Sequence, residues 1–275
     1  MSDTARSLVI RILDRIIEIR SFSEQGSELL ATSYGHLQVP EEATDLVYSI
    51  EEATDSGFLI RRQARSIHVP RAEELLPYFD DDLVVQLQIL RPDLYFQHAA
   101  VVALDERAFL LPAPRGHGKS TLAWALLQHG LRYSSDELGP IDPIAMTVAP
   151  YSRAICLKKD PPPPYEAPAE FAHGHSTLHL PVDCLAQPPI DGPIPLAGVF
   201  FPRFDPTSEE PQVQAIGTAA AAARLYSNAL NPLAHPGSGL DAAVAIAANV
   251  LCYELISSRL PATCEMVLEI MNAGN

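Results

Sequence analysis

Apolar and polar positions alternate in the first hundred residues. Residues 46–50 (Leu-Val-Tyr-Ser-Ile) and 57–62 (Gly-Phe-Leu-Ile-Arg-Arg) repeat with a period near two, with turn residues between them, which predicts strands. From Pro70 the period lengthens. Leu75, Leu76, Tyr78, Val84 and Leu87 fall near helical spacing, so 70–90 reads as a helix with proline in its first turn. Residues 96–104 form a buried strand, Asp105-Glu106-Arg107 a turn, and 108–111 a second strand. A helix follows from Leu122, with Gly130 placed to end it, and 131–135 is a short strand.

Prolines crowd 160–195, starting with Pro161–Pro164, and that stretch reads as a long irregular flap. Beyond it the pattern predicts a strand over 196–201, left by Pro202-Arg203-Phe204-Asp205, and an alanine-rich helix over 218–230. A loop follows at 231–239, then a helix over 240–255 and a final strand over 263–271. Strands alternating with helices predict an α/β fold with a central mixed sheet. A strand-rich N-terminal portion (1–92) packs on a core domain (93–275).

The 275 residues carry 34 acidic against 19 basic side chains, a net charge of −15. Such a surface repels nucleic-acid phosphates and anionic lipid, so neither is expected as a partner. Cys156, Cys184, Cys252 and Cys264 lie far apart without a C-x-x-C pair, which argues against a zinc site or disulfide framework and suits a reducing cytoplasm. The apolar residues 8–19 are broken by Arg11, Asp14, Arg15 and Glu18, unlike a signal peptide. Residues 240–255 are too short to span a bilayer comfortably.

The chemistry concentrates between strand and helix, where residues 113–121 read Ala-Pro-Arg-Gly-His-Gly-Lys-Ser-Thr. A loop ending in Gly-Lys-Ser cradles phosphates with its backbone N–H groups, neutralises them with lysine, and offers a hydroxyl to Mg²⁺. The helix N-terminus behind it adds free donors and a favourable dipole. Gly116, Gly118, Lys119, Ser120 and Thr121 are therefore candidate phosphate binders, with Arg115 reaching out and His117 contributing its backbone N–H. Ala113 stands where the pattern has its first glycine, which a methyl permits if φ there is negative. A second feature lies about fifteen residues downstream, where Asp136-Glu137 ends the short strand. Phosphoryl transfer needs an anion for Mg²⁺ and an acceptor for the hydroxyl proton, and two carboxylates can divide those tasks; in isolation such a pair reads as a solvated turn. His98, on the strand before the loop, is by default a core histidine.

His98-Ala99-Ala100, the hairpin, Gly116–Ala123, the helix ending near Gly130, and Tyr133-Ser134-Ser135-Asp136-Glu137 together resemble the catalytic domain of HPr kinase/phosphorylase. They resemble more closely the short HPr-kinase-related kinases. The likeness is strongest over 94–142. It implies a P-loop nucleotide-binding core of the HPr kinase/phosphoenolpyruvate carboxykinase type. It also implies an active-site role for His98, and metal binding and base function for Asp136 and Glu137. Lys119, Ser120 and Thr121 would bind phosphate and Mg²⁺. The family usually has two aspartates where this chain has Asp136-Glu137.

The expectation is an ATP- and Mg²⁺-dependent kinase that phosphorylates a hydroxyl, most simply serine, on a peptide, protein or small molecule. Asp136 would take the proton, and Ser120, Asp136 and Glu137 would hold the metal. The resemblance favours a homo-oligomer. A nucleotide-binding module without transferase activity and a P-loop hydrolase are the competing readings, although no Asn-Lys-x-Asp guanine signature is present. Arg203 could stabilise phosphate charge or form a surface salt bridge. Lys158-Lys159 could be a solvated basic spot or attract an acidic substrate. His173, His175 and His179 have a metal-like spacing in a segment too rich in proline for a clear helix.

Overall fold

The computed structural model describes residues 5–53, 57–169 and 177–273. It is a mixed α/β structure with one five-stranded and one eight-stranded sheet and a small ribbon. The first sheet begins with a hairpin, β1 (Arg6–Ile12) and β2 (Arg15–Ser21). Helix α1 (Glu24–Tyr34) crosses over from it to β3 (Leu46–Glu52), which pairs parallel to β2. Ser23 caps α1 by accepting a hydrogen bond from the Gly26 N–H at 3.3 Å. The antiparallel strands β4 (Phe58–Arg62) and β5 (Arg65–Val69) complete the order β1-β2-β3-β4-β5. Helix α2 (Leu75–Leu90), entered through a 3₁₀ turn over Ala72–Glu74, packs its Leu76, Phe79, Leu83 and Leu87 on this sheet. The same core takes in Phe96, Leu138 and Tyr151, so the N-terminal sheet and the second one share buried surface.

Strand β6 (Tyr95–Leu104) returns through Asp105 and Glu106, both at positive φ, into β7 (Arg107–Pro112). Helix α3 (Lys119–Leu127) leads to β8 (Arg132–Ser135), β9 (Leu138–Asp142) and β10 (Thr147–Val148). Both β8 and β9 pair with β6, at opposite ends of that long strand, which puts the 135–138 turn in its middle. Strands β11 (Ile155–Leu157) and β12 (Leu178–Leu180) form the ribbon. Then come β13 (Ile194–Phe204), β14 (Gln212–Ala215), α4 (Thr218–Ser227), α5 (Leu240–Asn249), β15 (Leu251–Ser257) and α6 (Leu260–Ala273). Strands β7, β13 and β15 are parallel neighbours. Alternation covers both faces of the sheet. Ala100, Val102 and Leu111 pack toward α3 and α6, while Ala99, Val101 and Leu110 pack toward α4 and α5.

Four stretches depart from the sequence expectation. The helix expected over 240–255 stops at Asn249, and Val250 turns extended before β15. An apolar run reads alike as helix or central strand, and pairing with β13 decides it. The strand expected over 263–271 is helix α6. Its buried Thr263, Val267 and Met271 recur every fourth residue, with Glu265 and Glu269 less buried between them. Strand β13 runs past Pro202 to Phe204, because the parallel ladder to β15 continues that far. Within the proline-rich 160–195, β12 and a 3₁₀ turn (Val182–Cys184) are regular, and Ile194 opens β13. Among the described residues no helix is long and apolar enough to cross a membrane.

Phe79 is fully buried, edge-on to both Tyr34 and Tyr48, at the junction of α1, α2 and the first sheet. Phe79→Ala should cost about 3–5 kcal/mol of stability, read from the urea midpoint.

Candidate functional site

The parallel strands β7, β13 and β15 end on the same side, and a cavity of about 500 Å³ opens there. It is lined by Gly116, Gly118, Lys119, Ser120 and Thr121 after β7, by Phe204 from β13, and by Ser257 at the end of β15 and Ser258 after it. Ligands in open α/β sheets settle beyond the carboxyl ends of strands.

The loop adopts its shape through Gly116 and Gly118, both left-handed at φ near 87° and 84°. A side chain at either would strain the backbone. Ala113 is absent from the positive-φ residues, so its methyl is accommodated. It is buried, and its carbonyl accepts from Lys119 Nζ at 2.7 Å. The Pro114 carbonyl accepts from the same ammonium at 3.3 Å. Helix α3 starts at Lys119, so the backbone N–H groups of its first turn lack partners within the helix. Burial lowers the Lys119 pKa to about 8, against the pull of Glu137 and Asp136 and with repulsion from Lys158 and Arg115.

His98 and Glu137 meet because β6 and β9 are in register at His98↔Leu138, one residue past Glu137. Ser135 fixes the turn, its hydroxyl accepting from the Glu137 N–H at 3.2 Å and the Leu138 N–H at 2.9 Å. His98 Nε2 lies 3.2 Å from Glu137 Oε1 and also 3.2 Å from Lys119 Nζ. One nitrogen cannot serve both at once: protonated it donates to Glu137, unprotonated it accepts from Lys119. Burial works against ionisation of Glu137, but the His98 hydrogen bond and the charges of Arg153 and Lys119 outweigh it and hold the pKa at about 2.

Asp136 does not line the cavity. It is 1% exposed, behind the wall that Glu137 faces. Its Oδ1 accepts from the Tyr133 hydroxyl at 3.2 Å and its Oδ2 from the Cys156 N–H at 2.7 Å. Arg153, itself buried, brings Nη2 to 3.6 Å from Asp136 and Nε to 3.4 Å from Asp80 on α2. Burial opposes the charge of Arg153, and the two carboxylates more than restore it. Burial raises the Asp136 pKa and takes that of Asp80 to about 6. Both Asp136 oxygens are thus committed to interior partners, and of the adjacent pair expected to share metal and base roles only Glu137 lines the cavity.

The neighbouring aspartates of α2 face other elements. Asp81 pairs with Arg115 of the loop at 3.4 Å, and Asp82 holds Arg62, Arg65 and the Tyr48 hydroxyl. Arg115 lines the cavity and His117 does not. Arg203 also stays outside it and pairs with Asp205 at 3.5 Å, so the salt-bridge reading holds; its neighbour Phe204 faces in. His179 lies on β12, and His173 and His175 fall outside the described residues. Among the described residues no cluster of three or more His, Cys, Asp or Glu could hold a metal ion.

Sequence reasoning missed Asp80, Asp81 and Arg153. Three consecutive aspartates inside an apolar helix were the available signal, since a helix that buries one face must partner some of them. It also left open a fact of composition. Lysine occurs only at positions 119, 158 and 159, and all three residues line this cavity.

No protein-family model matches the chain, and no curated protein is significantly similar to it in sequence.

Two outcomes follow. Arg153→Met strands two buried carboxylates and should cost about 3–5 kcal/mol, whereas the exposed Arg203→Ala should change stability by less than about 0.5 kcal/mol. Urea unfolding checks both. The depressed pKa of Glu137 gives stability that is present above about 4.5, its ordinary value, and lost as pH falls toward about 2. The gap in unfolding free energy between wild type and Glu137→Gln should therefore shrink across that window, by no more than about 2 kcal/mol.

Proposed function

We propose that the chain is an ATP-dependent phosphotransferase, with a P-loop core formed by β7, the 113–118 loop and α3, acting on a hydroxyl of a peptide, protein or small molecule. The observation that carries this reading is a meeting in one cavity. A glycine loop at a helix N-terminus, with its lysine, faces the Glu137–His98 pair. The first suits a polyphosphate, the second a proton and a cation.

In this reading Lys119 leaves the Ala113 and Pro114 carbonyls for the outer phosphates, and the amides at the start of α3 take the remaining oxygens. Its departure frees His98 Nε2. The acceptor oxygen bonds to the γ-phosphorus as the bond from that phosphorus to the β–γ bridging oxygen breaks, and ADP leaves. The hydroxyl proton passes to His98 Nε2, and the imidazolium then donates to Glu137, whose pKa, lowered to about 2, keeps it ionised near neutral pH. Phosphoryl transfer through a loose transition state asks little of the base, so positioning matters more than basicity. Asp136 contributes from behind, through the Cys156 N–H and Arg153.

A hydroxyl from Ser120 and the second oxygen of Glu137 suit a hard divalent cation such as Mg²⁺, which takes few protein ligands beside water and phosphate. Bound there, such an ion would supply neutralisation of the β- and γ-phosphate charge.

The test is transfer of label from γ-³²P-ATP, with Mg²⁺, to serine-containing peptides and to extract of the source cell. His98→Ala and Glu137→Gln should each slow transfer about 10²–10⁴-fold with nucleotide still bound, and Lys119→Ala should weaken nucleotide binding itself. Lysine-dependent release of free phosphate with no labelled acceptor would replace the transferase by a hydrolase. Failure to bind ATP would overturn both.

A further inference from the structure

The cavity holds more positive charge than a triphosphate loop supplies. Arg115, Lys119, Lys158 and Lys159 line it, against Glu137 and Asp160, in a chain whose net charge is −15. Both carboxylates are engaged. Glu137 pairs with His98, and Asp160 Oδ1 accepts from the Ala167 N–H at 3.3 Å. Arg115 pairs with Asp81 and Lys119 turns to its own loop. Among the described residues Lys158 and Lys159 have no ion-pair partner, and both are exposed.

Their position is set by the interior. They follow directly on β11, whose Cys156 N–H is bonded to Asp136, the neighbour of Glu137. The two lysines therefore continue from the strand that backs Glu137, and Lys158 lies near enough to Lys119 for the two charges to repel across the cavity. Two adjacent cations without counter-ions repel each other, and an anion bound between them relieves that repulsion.

Building on the kinase reading, we propose that Lys158 and Lys159 form the acceptor's anion site, so that the hydroxyl-bearing acceptor also carries an acidic group, a carboxylate or a phosphate. The acid anchors on the lysines while the hydroxyl faces Glu137 and His98. A neutral acceptor of the same skeleton loses that anchor. Orientation of this kind separates a productive pose from a merely bound one.

The experiment uses the full chain loaded with Mg²⁺ and a non-hydrolysable ATP analogue, so that the γ-phosphate position is filled. It is titrated calorimetrically with glycerate, glycerol 3-phosphate and glycerol. The expected result is that at least one of the two anions binds and glycerol does not, the stronger anion telling carboxylate from phosphate. The Lys158→Ala/Lys159→Ala variant should weaken the anion by about tenfold or more, and Lys158→Arg/Lys159→Arg should retain it within about threefold. Equal anion binding by wild type and the alanine variant, or none by wild type, overturns the proposal. So does an alanine variant that loses the ATP analogue as Lys119→Ala does, since the lysines would then serve the nucleotide. If wild type does not bind the analogue, the kinase reading falls. The same titration without nucleotide then decides the anion site: lysine-dependent binding retains it and its absence removes it.

Discussion

A guanidinium buried between two carboxylates holds this molecule in register. Arg153 joins Asp80 of the N-terminal helix to Asp136 at the end of a strand in the larger sheet. A charge in the interior is costly unless it is paired, and each member of this triad is tolerable only because the others are present. The constraint is geometric as much as energetic. Asp136 is fixed by Arg153 and Tyr133 and in turn fixes the Cys156 backbone, so the ribbon beyond it and the Glu137 turn before it are positioned by one buried network.

Helix α2 extends that constraint in three directions through consecutive side chains. A helix turns about 100° per residue, so Asp80, Asp81 and Asp82 point to different surroundings. They reach the site's rear wall, the glycine loop and the first sheet respectively. The N-terminal portion is thereby wired to the cavity without lining it. The wiring is uneven in strength. The Asp81–Arg115 pair is exposed and screened, while Asp80 and Asp82 are buried.

Much of this architecture was legible in the chain. The hairpin 95–112, the loop and the start of α3 combine apolar runs broken by a polar turn with residues whose backbone demands are specific, such as Gly116 and Gly118. Local pattern and tertiary outcome agree there. Residues 251–257 and 263–271 were misread because short apolar segments carry no unambiguous period, and neighbours in space chose for them. The division of labour between Asp136 and Glu137 was equally beyond local reading. Asp136 and Glu137 form the bend between β8 and β9, and which of them faces the cavity depends on Arg153, seventeen residues past Asp136, and on Asp80 far upstream. The carboxylate expected to take the proton lies buried among Tyr133, Cys156 and Arg153.

The distribution of lysine has a consequence for covalent chemistry. The outer surface presents its positive charge as arginine, and every side-chain amine of the chain opens on one cavity. Acylation, carbamylation or conjugation at lysine therefore has no neutral place to occur. Any such modification lands in the proposed site, and whatever occupies that site shields all the lysines at once.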